Sequence, residues 1–156
     1  MKPTDCDRRT VRIGFVLVIL YVTCSTSGAA QQSKNGVRPL ASVKELHDLV
    51  ITPASDAVFR AGGEAPTTSQ GWTAARNQAL MLAEAGNLLM IGTRARDTTR
   101  WITLSRALVD AAAMAATAAE KKDAKALAGA GDGITAACEA CHRPYRDGGR
   151  QMGTPR

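Results

Sequence analysis

The chain has 156 residues, enough for one domain, and a formal net charge of +6 that its first thirty residues inflate. Four of its twenty basic and two of its fourteen acidic residues lie in that leader, so the remainder carries +4, weak grounds for nucleic-acid binding. Cys6 and Cys24 also lie there, and the remaining two cysteines are three positions apart beside a histidine, which excludes a disulfide-stapled fold.

The leader opens with the short basic stretch "MKPTDCDRRTVR", continues with the twelve-residue apolar run "IGFVLVILYVTC", and then reaches small residues at Gly28 and Ala30. That order reads as a secretory signal peptide over residues 1–30, cleaved after Ala30. The apolar run is shorter than the ~20 residues of a membrane span. Cys24 closes the run and is followed by a small, polar tether, as a lipid-anchoring cysteine is; "YVT" before it is bulkier than lipoprotein processing usually accepts. The expected location is the periplasm, soluble or tethered according to Cys24. Residues 31–41 read as a flexible lead.

The first helix opens at Ser42, which forms a capping box with Glu45. Val43, His47, Ile51, Ala54 and Val58 recur at helical spacing. Pro53 falls inside that pattern and predicts a kink or break. The stretch "AGGEAPTT" ends the segment as a loop. A second helix is expected over about residues 69–91, with Trp72, Ala75, Ala79, Leu82, Gly86 and Leu89 on one side and Gly92 as its C-cap. Gly86 costs ~1 kcal/mol against Ala in a helix interior, which points to a bulky neighbour lying close. The third helix is expected from Asp97 or Thr98 to about Lys121, with Trp101, Leu104, Leu108 and Ala112 on one face. After a turn at Lys122 and Asp123 the fourth helix runs on, weakened by Gly129, Gly131 and Gly133, and ends before Pro144. The tail, residues 147–156, reads as disordered.

No strand signal or internal repeat is visible. Four helices with mostly short connections predict an all-α, up-down-up-down antiparallel four-helix bundle over residues 42–146. Its core is short of large side chains: beyond residue 30 the aromatic residues are Phe59, Trp72, Trp101 and Tyr145, among many alanines. A large apolar prosthetic group between the helices would supply the missing buried surface.

The stretch "CEACHRPYR", residues 138–146, points to such a group. On composition alone, a CxxCH arises in roughly one chain in a thousand, and it is a c-type haem attachment signal. On a helix Cys138, Cys141 and His142 stand at i, i+3 and i+4 and face one way. Both thiols can then add to haem vinyls while the imidazole reaches the iron. Two other readings compete. A dithiol redox pair expects a βαβ setting. A structural zinc wants four ligands, and Cys138, Cys141, His142 and His47 are the obvious set. The arginines at 143, 146, 150 and 156 form a modest patch for an acidic partner, or a solvated tail.

A CxxCH near the end of an exported, all-helical chain resembles the class II cytochromes c, the cytochrome c prime type, and "CHRPYR" resembles that family's ending. The likeness covers roughly Ser42 to Arg146. It implies one covalent haem c in the core of the bundle, thioether links at Cys138 and Cys141, and His142 as an iron ligand. It places Tyr145 and Arg146 near the haem edge. It implies electron carriage to redox partner proteins rather than enzymatic catalysis, and a homodimer through the first two helices. Low-spin members place a methionine on the first helix. Here "VKELHDLVITPA" has none and has His47 instead, on the apolar stripe. An unpaired imidazole there is costly, and iron coordination removes the cost. The expectation is bis-histidine, low-spin iron with His47 and His142 as axial ligands. Met81, Met90 or Met114 as the sixth ligand, or an open sixth position that binds NO or CO, remain the alternatives.

Overall fold

The structure is a computed structural model that describes residues 36–146. The signal peptide with Cys24, the first five residues of the lead and the tail lie outside the described residues. Within them every regular element is helical: α1 (Val43–Leu46), a π turn (His47–Ile51), α2 (Thr52–Gly63), α3 (Ser69–Leu89), a 3₁₀ turn (Gly92–Arg94), α4 (Arg100–Glu120) and α5 (Ala124–Tyr145).

Local chemistry sets most of the boundaries. Ser42 and Glu45 form the reciprocal capping box, with Ser42 N–H donating to Glu45 Oε2 at 2.8 Å and Glu45 N–H to Ser42 Oγ at 3.2 Å. Thr68 caps α3 by accepting from Gly71 N–H, and Asp123 caps α5 by accepting from Ala126 N–H. Lys122, at φ 56°, makes the left-handed turn between α4 and α5. The amides of Lys122 and Asp123 reach back to the carbonyls of Ala119 and Ala118, a Schellman closure.

Four boundaries differ from expectation. Pro53 does not break the helix; α1 runs into α2 through the π turn, in which Thr52 N–H bonds the carbonyl of His47, five residues back. Pro53 has no N–H for the carbonyl four residues earlier and its ring crowds it, and a widened turn accommodates both. Helix α3 is capped by Met90, and Gly92 instead opens the 3₁₀ turn at φ +57°. Helix α4 starts at Arg100, but Asp97 still serves its end, with Oδ1 accepting from the amides of Thr99 and Trp101. Helix α5 passes through Pro144 to Tyr145. One missing hydrogen bond in a last turn is a small loss, and Tyr145 is held from outside the helix.

Packing runs α2 on α3, α3 on α4, α4 on α5 and α5 back on α2. Twelve of the 22 buried apolar residues among the described residues are alanine, which lets the helix axes approach closely. The closest approach is at Gly86, where a Cβ would lie 2.7 Å from Val109 Cγ2 and 3.4 Å from the Ser105 carbonyl. Leu82, Leu127, Ile134 and Val58 are the largest fully buried apolar side chains. Helix α4 is long and apolar enough to cross a membrane by length and composition, but α3 and α5 pack against it.

Candidate functional site

Helix periodicity places Cys138, Cys141 and His142 on one half-buried face of α5. The π turn brings His47 to the same place. Its ring centroid is 5.6 Å from that of His142, and the rings are tilted by 39°. Between them lies a cleft of about 100 Å³, and the four chains of structure around it each contribute. The first helix gives His47, Ile51, Thr52 and Ser55; α3 gives Leu89; α4 gives Leu104, Ser105 and Leu108; α5 gives Ala137 and the CxxCH residues.

The His47 ring is oriented from behind. Its Nδ1 lies 3.0 Å from the carbonyl oxygen of Val43. A carbonyl only accepts, so Nδ1 is the donor in this bond, and Nε2 is the ring nitrogen left for another partner. A backbone carbonyl on the far nitrogen is the arrangement that metal-bound histidines use to fix tautomer and orientation.

Both cysteines are free thiols. Burial pushes the Cys138 thiol up from its ordinary value, and the negative charges of Cys141 and Glu139 add to that. Burial alone does the same at Cys141. Neutral thiols in an apolar wall are poor zinc ligands, which bind as thiolates. Among the described residues no three His, Cys, Asp or Glu side chains gather into a metal cage.

Ser105 is the third feature of the cleft. It is 1% exposed, and its hydroxyl has no hydrogen-bond partner among the described residues. Ser55, its neighbour in the lining, is satisfied by the carbonyl of Thr52 at 3.0 Å. A buried hydroxyl left unpaired costs ~1–3 kcal/mol.

These residues fit a covalent haem in their donor set: two thiols and two imidazoles on the walls of one otherwise apolar cleft. The cleft is smaller than the ~300–1,000 Å³ of small-molecule sites, so its walls must part to admit a porphyrin.

The remaining expected site residues lie outside the lining. Tyr145 is turned toward α4: its hydroxyl donates to Asp97 Oδ2, and its ring meets Trp101 edge-on at 4.9 Å. Trp101 in turn donates Nε1–H to the Leu89 carbonyl at 2.8 Å. This latch ties the end of α5 to the end of α3, next to Leu89 in the cleft wall. Arg146 is exposed at the end of α5. Met81 and Met114 are exposed, and neither they nor Met90 line the cleft. Sequence reasoning missed Ser105, Ser55 and the Asp97–Tyr145–Trp101 latch, since no motif or spacing marks them.

Comparisons with protein-family models, with curated proteins and with solved structures give no match to this chain.

Proposed function

We propose that this chain is an exported, mono-haem c-type cytochrome that carries single electrons, built as an antiparallel four-helix bundle of the class II type. The observation that carries the reading is the meeting of His47 with the CxxCH of α5 across one cleft. The ring of helix contacts from α2 round to α5 supports the bundle.

A haem, when bound, supplies a one-electron ferric/ferrous couple. Cys138 and Cys141 hold it by thioether bonds. His142 and His47 present imidazole nitrogens from opposite walls, and the Val43 carbonyl holds the His47 ring in place. Ile51, Leu89, Leu104 and Leu108 exclude water. Two protein ligands leave no position for substrate, which suits electron transfer rather than catalysis. Paired imidazoles also set a lower potential than a thioether–imidazole pair. The leader supports a periplasmic location, and the basic end of α5 supports an acidic redox partner.

Three measurements test this. The denatured, acid-acetone-extracted polypeptide should stay coloured; a colourless chain after correct maturation ends the haem reading. The ferric wild type should be low-spin, with a sharp α band on reduction and no response to CO. His47→Ala should become high-spin and bind CO; an unchanged low-spin spectrum would rule His47 out as a ligand.

A further inference from the structure

His47 is aligned by two layers of contact, and the outer one begins at Arg94, a residue with no part in the donor set. Arg94 is 8% exposed. Its Nε–H donates to the Ala41 carbonyl at 2.9 Å, and its Nη1 donates to the Leu88 carbonyl at 3.2 Å. The second bond has an ordinary explanation. Leu88 lies in the last turn of α3, whose carbonyls lack helical partners and attract a cation. The first bond does not follow from capping. Ala41 belongs to a segment 53 positions earlier, immediately before the N-cap Ser42.

The backbone is shaped for this contact. Gly92 at φ +57° turns the chain back after α3, so that Arg94 returns over Leu88. Pro39 lies against the same turn, where a Cβ on Gly92 would come 2.9 Å from Pro39 Cγ. The lead and the α3–α4 connection are thus interlocked at two points, Pro39 on Gly92 and Ala41 on Arg94.

We propose that Arg94 is a positioning residue for His47: its guanidinium fastens the root of the His47 helix to the end of α3, and so holds the imidazole at the cleft. The chain of contact is short. Arg94 fixes Ala41; Ser42 starts α1; Val43, the first residue of α1, presents its carbonyl to His47 Nδ1. At the other end Arg94 grips Leu88, whose neighbour Leu89 lines the cleft opposite His47. Ahead of the capping box, the Arg94–Ala41 bond and the Pro39–Gly92 contact are the ties between this end of the helix and the α3–α4 connection, and the Arg94 bond is the polar one.

This inference rests on the reading of His47 as an iron ligand, and the test separates the two. The probe is cyanide added to the ferric, haem-loaded full chain, because cyanide can enter only when His47 lets go. The rate of the spectral change then reports how often the imidazole leaves. Arg94→Met keeps the side-chain bulk and removes both donors. It should bind cyanide at least about tenfold faster than wild type, the factor that ~1.4 kcal/mol of lost restraint gives. Arg94→Lys, with one ammonium for two carbonyls, should fall between them. Leu127→Ala is the control for mere loss of stability, since Leu127 is fully buried and lies outside the cleft lining. It should lower the melting temperature and leave the cyanide rate near that of wild type. If Arg94→Met binds cyanide at the wild-type rate, or if Leu127→Ala accelerates binding as much, Arg94 has no positioning role. If His47→Ala is no faster than wild type, the ligand assignment falls and this inference falls with it. A fast His47→Ala beside a slow Arg94→Met removes the clamp alone.

Discussion

Two side chains, Tyr145 in the latch outside the cleft and Ser105 in its lining, carry separable chemistry. Tyr145 holds the Asp97 carboxyl below its ordinary range, chiefly by donating its hydroxyl, with help from the amides of Trp101, Thr99 and Arg100. The same bond raises the Tyr145 phenol. A lowered carboxylate stabilises the fold above its unfolded pKa, and the contribution is lost as pH falls through the lowered folded value. A raised phenol stabilises below its unfolded pKa and loses the contribution as pH rises through the raised folded value. The latch should therefore be intact throughout the range between the ordinary carboxylate and phenol values, and should open only as pH falls through the lowered Asp97 value or rises through the raised Tyr145 value. Near-UV dichroism, which reports Trp101 against Tyr145, should show an acid step in wild type that Tyr145→Phe abolishes. Ser105 makes the second case. In the haem-free Cys138→Ser/Cys141→Ser background its hydroxyl is an unpaired burden, so Ser105→Ala should raise the unfolding free energy measured by urea titration by ~1 kcal/mol. In the haem-loaded chain, where the occupant can take up the hydroxyl, the same change should lower it. The same sign in both backgrounds would show that nothing in the cleft uses Ser105.

Among the elements, the π turn matters most for the site. It contains one residue more than an α turn, and one residue is ~100° of rotation about the helix axis. The residues from the first position of the turn, His47, back through α1 are turned by about that amount relative to α2. Pro53→Ala returns the missing N–H and removes the clash that the wide turn relieves. It should add helical stability by thermal melting and convert the ferric haem protein from low-spin to high-spin by electron paramagnetic resonance, because the imidazole swings away from the cleft. A stabilised variant that stays low-spin would mean that the π turn has another cause. Proline was visible in the sequence as a disturbance at position 53, but the local rule offers a kink, a break or a widened turn alike. The choice depends on Ile51, which is 4% exposed and must stay in the core on the C-terminal side of the turn. Pro144 teaches the same lesson in reverse. The local rule ends the helix there, but Tyr145 is gripped by Asp97 and Trp101, 48 and 44 positions away, and the last turn survives.

On the scale of the whole molecule, an alanine-rich interior gains little hydrophobic stabilisation per residue, and a cleft of about 100 Å³ reaches into it beside the CxxCH. A covalent guest there should matter for stability as well as function. The Cys138→Ser/Cys141→Ser chain should yield colourless polypeptide on acid-acetone extraction. It should also melt at least about 10 °C below wild type, the shift that ~2 kcal/mol produces in a domain of this size. Equal melting temperatures would mean that the helices close without the guest and that the shortage of large side chains has no such significance.

The sequence by itself determined what depends on near neighbours along the chain. The helical class, the Ser42–Glu45 cap, the single face shared by Cys138, Cys141 and His142, and the need for a close neighbour at Gly86 are all of this kind. Each is settled by spacing within one or two turns of helix. The tertiary structure alone decided what depends on which distant surfaces meet. It brought His47 close to His142, left the Ser105 hydroxyl buried without a partner among the described residues, and turned Arg94 back onto Ala41. Burial and long-range hydrogen bonding are properties of the packed molecule, and an isolated Ser or Arg in a helical sequence carries no mark of either.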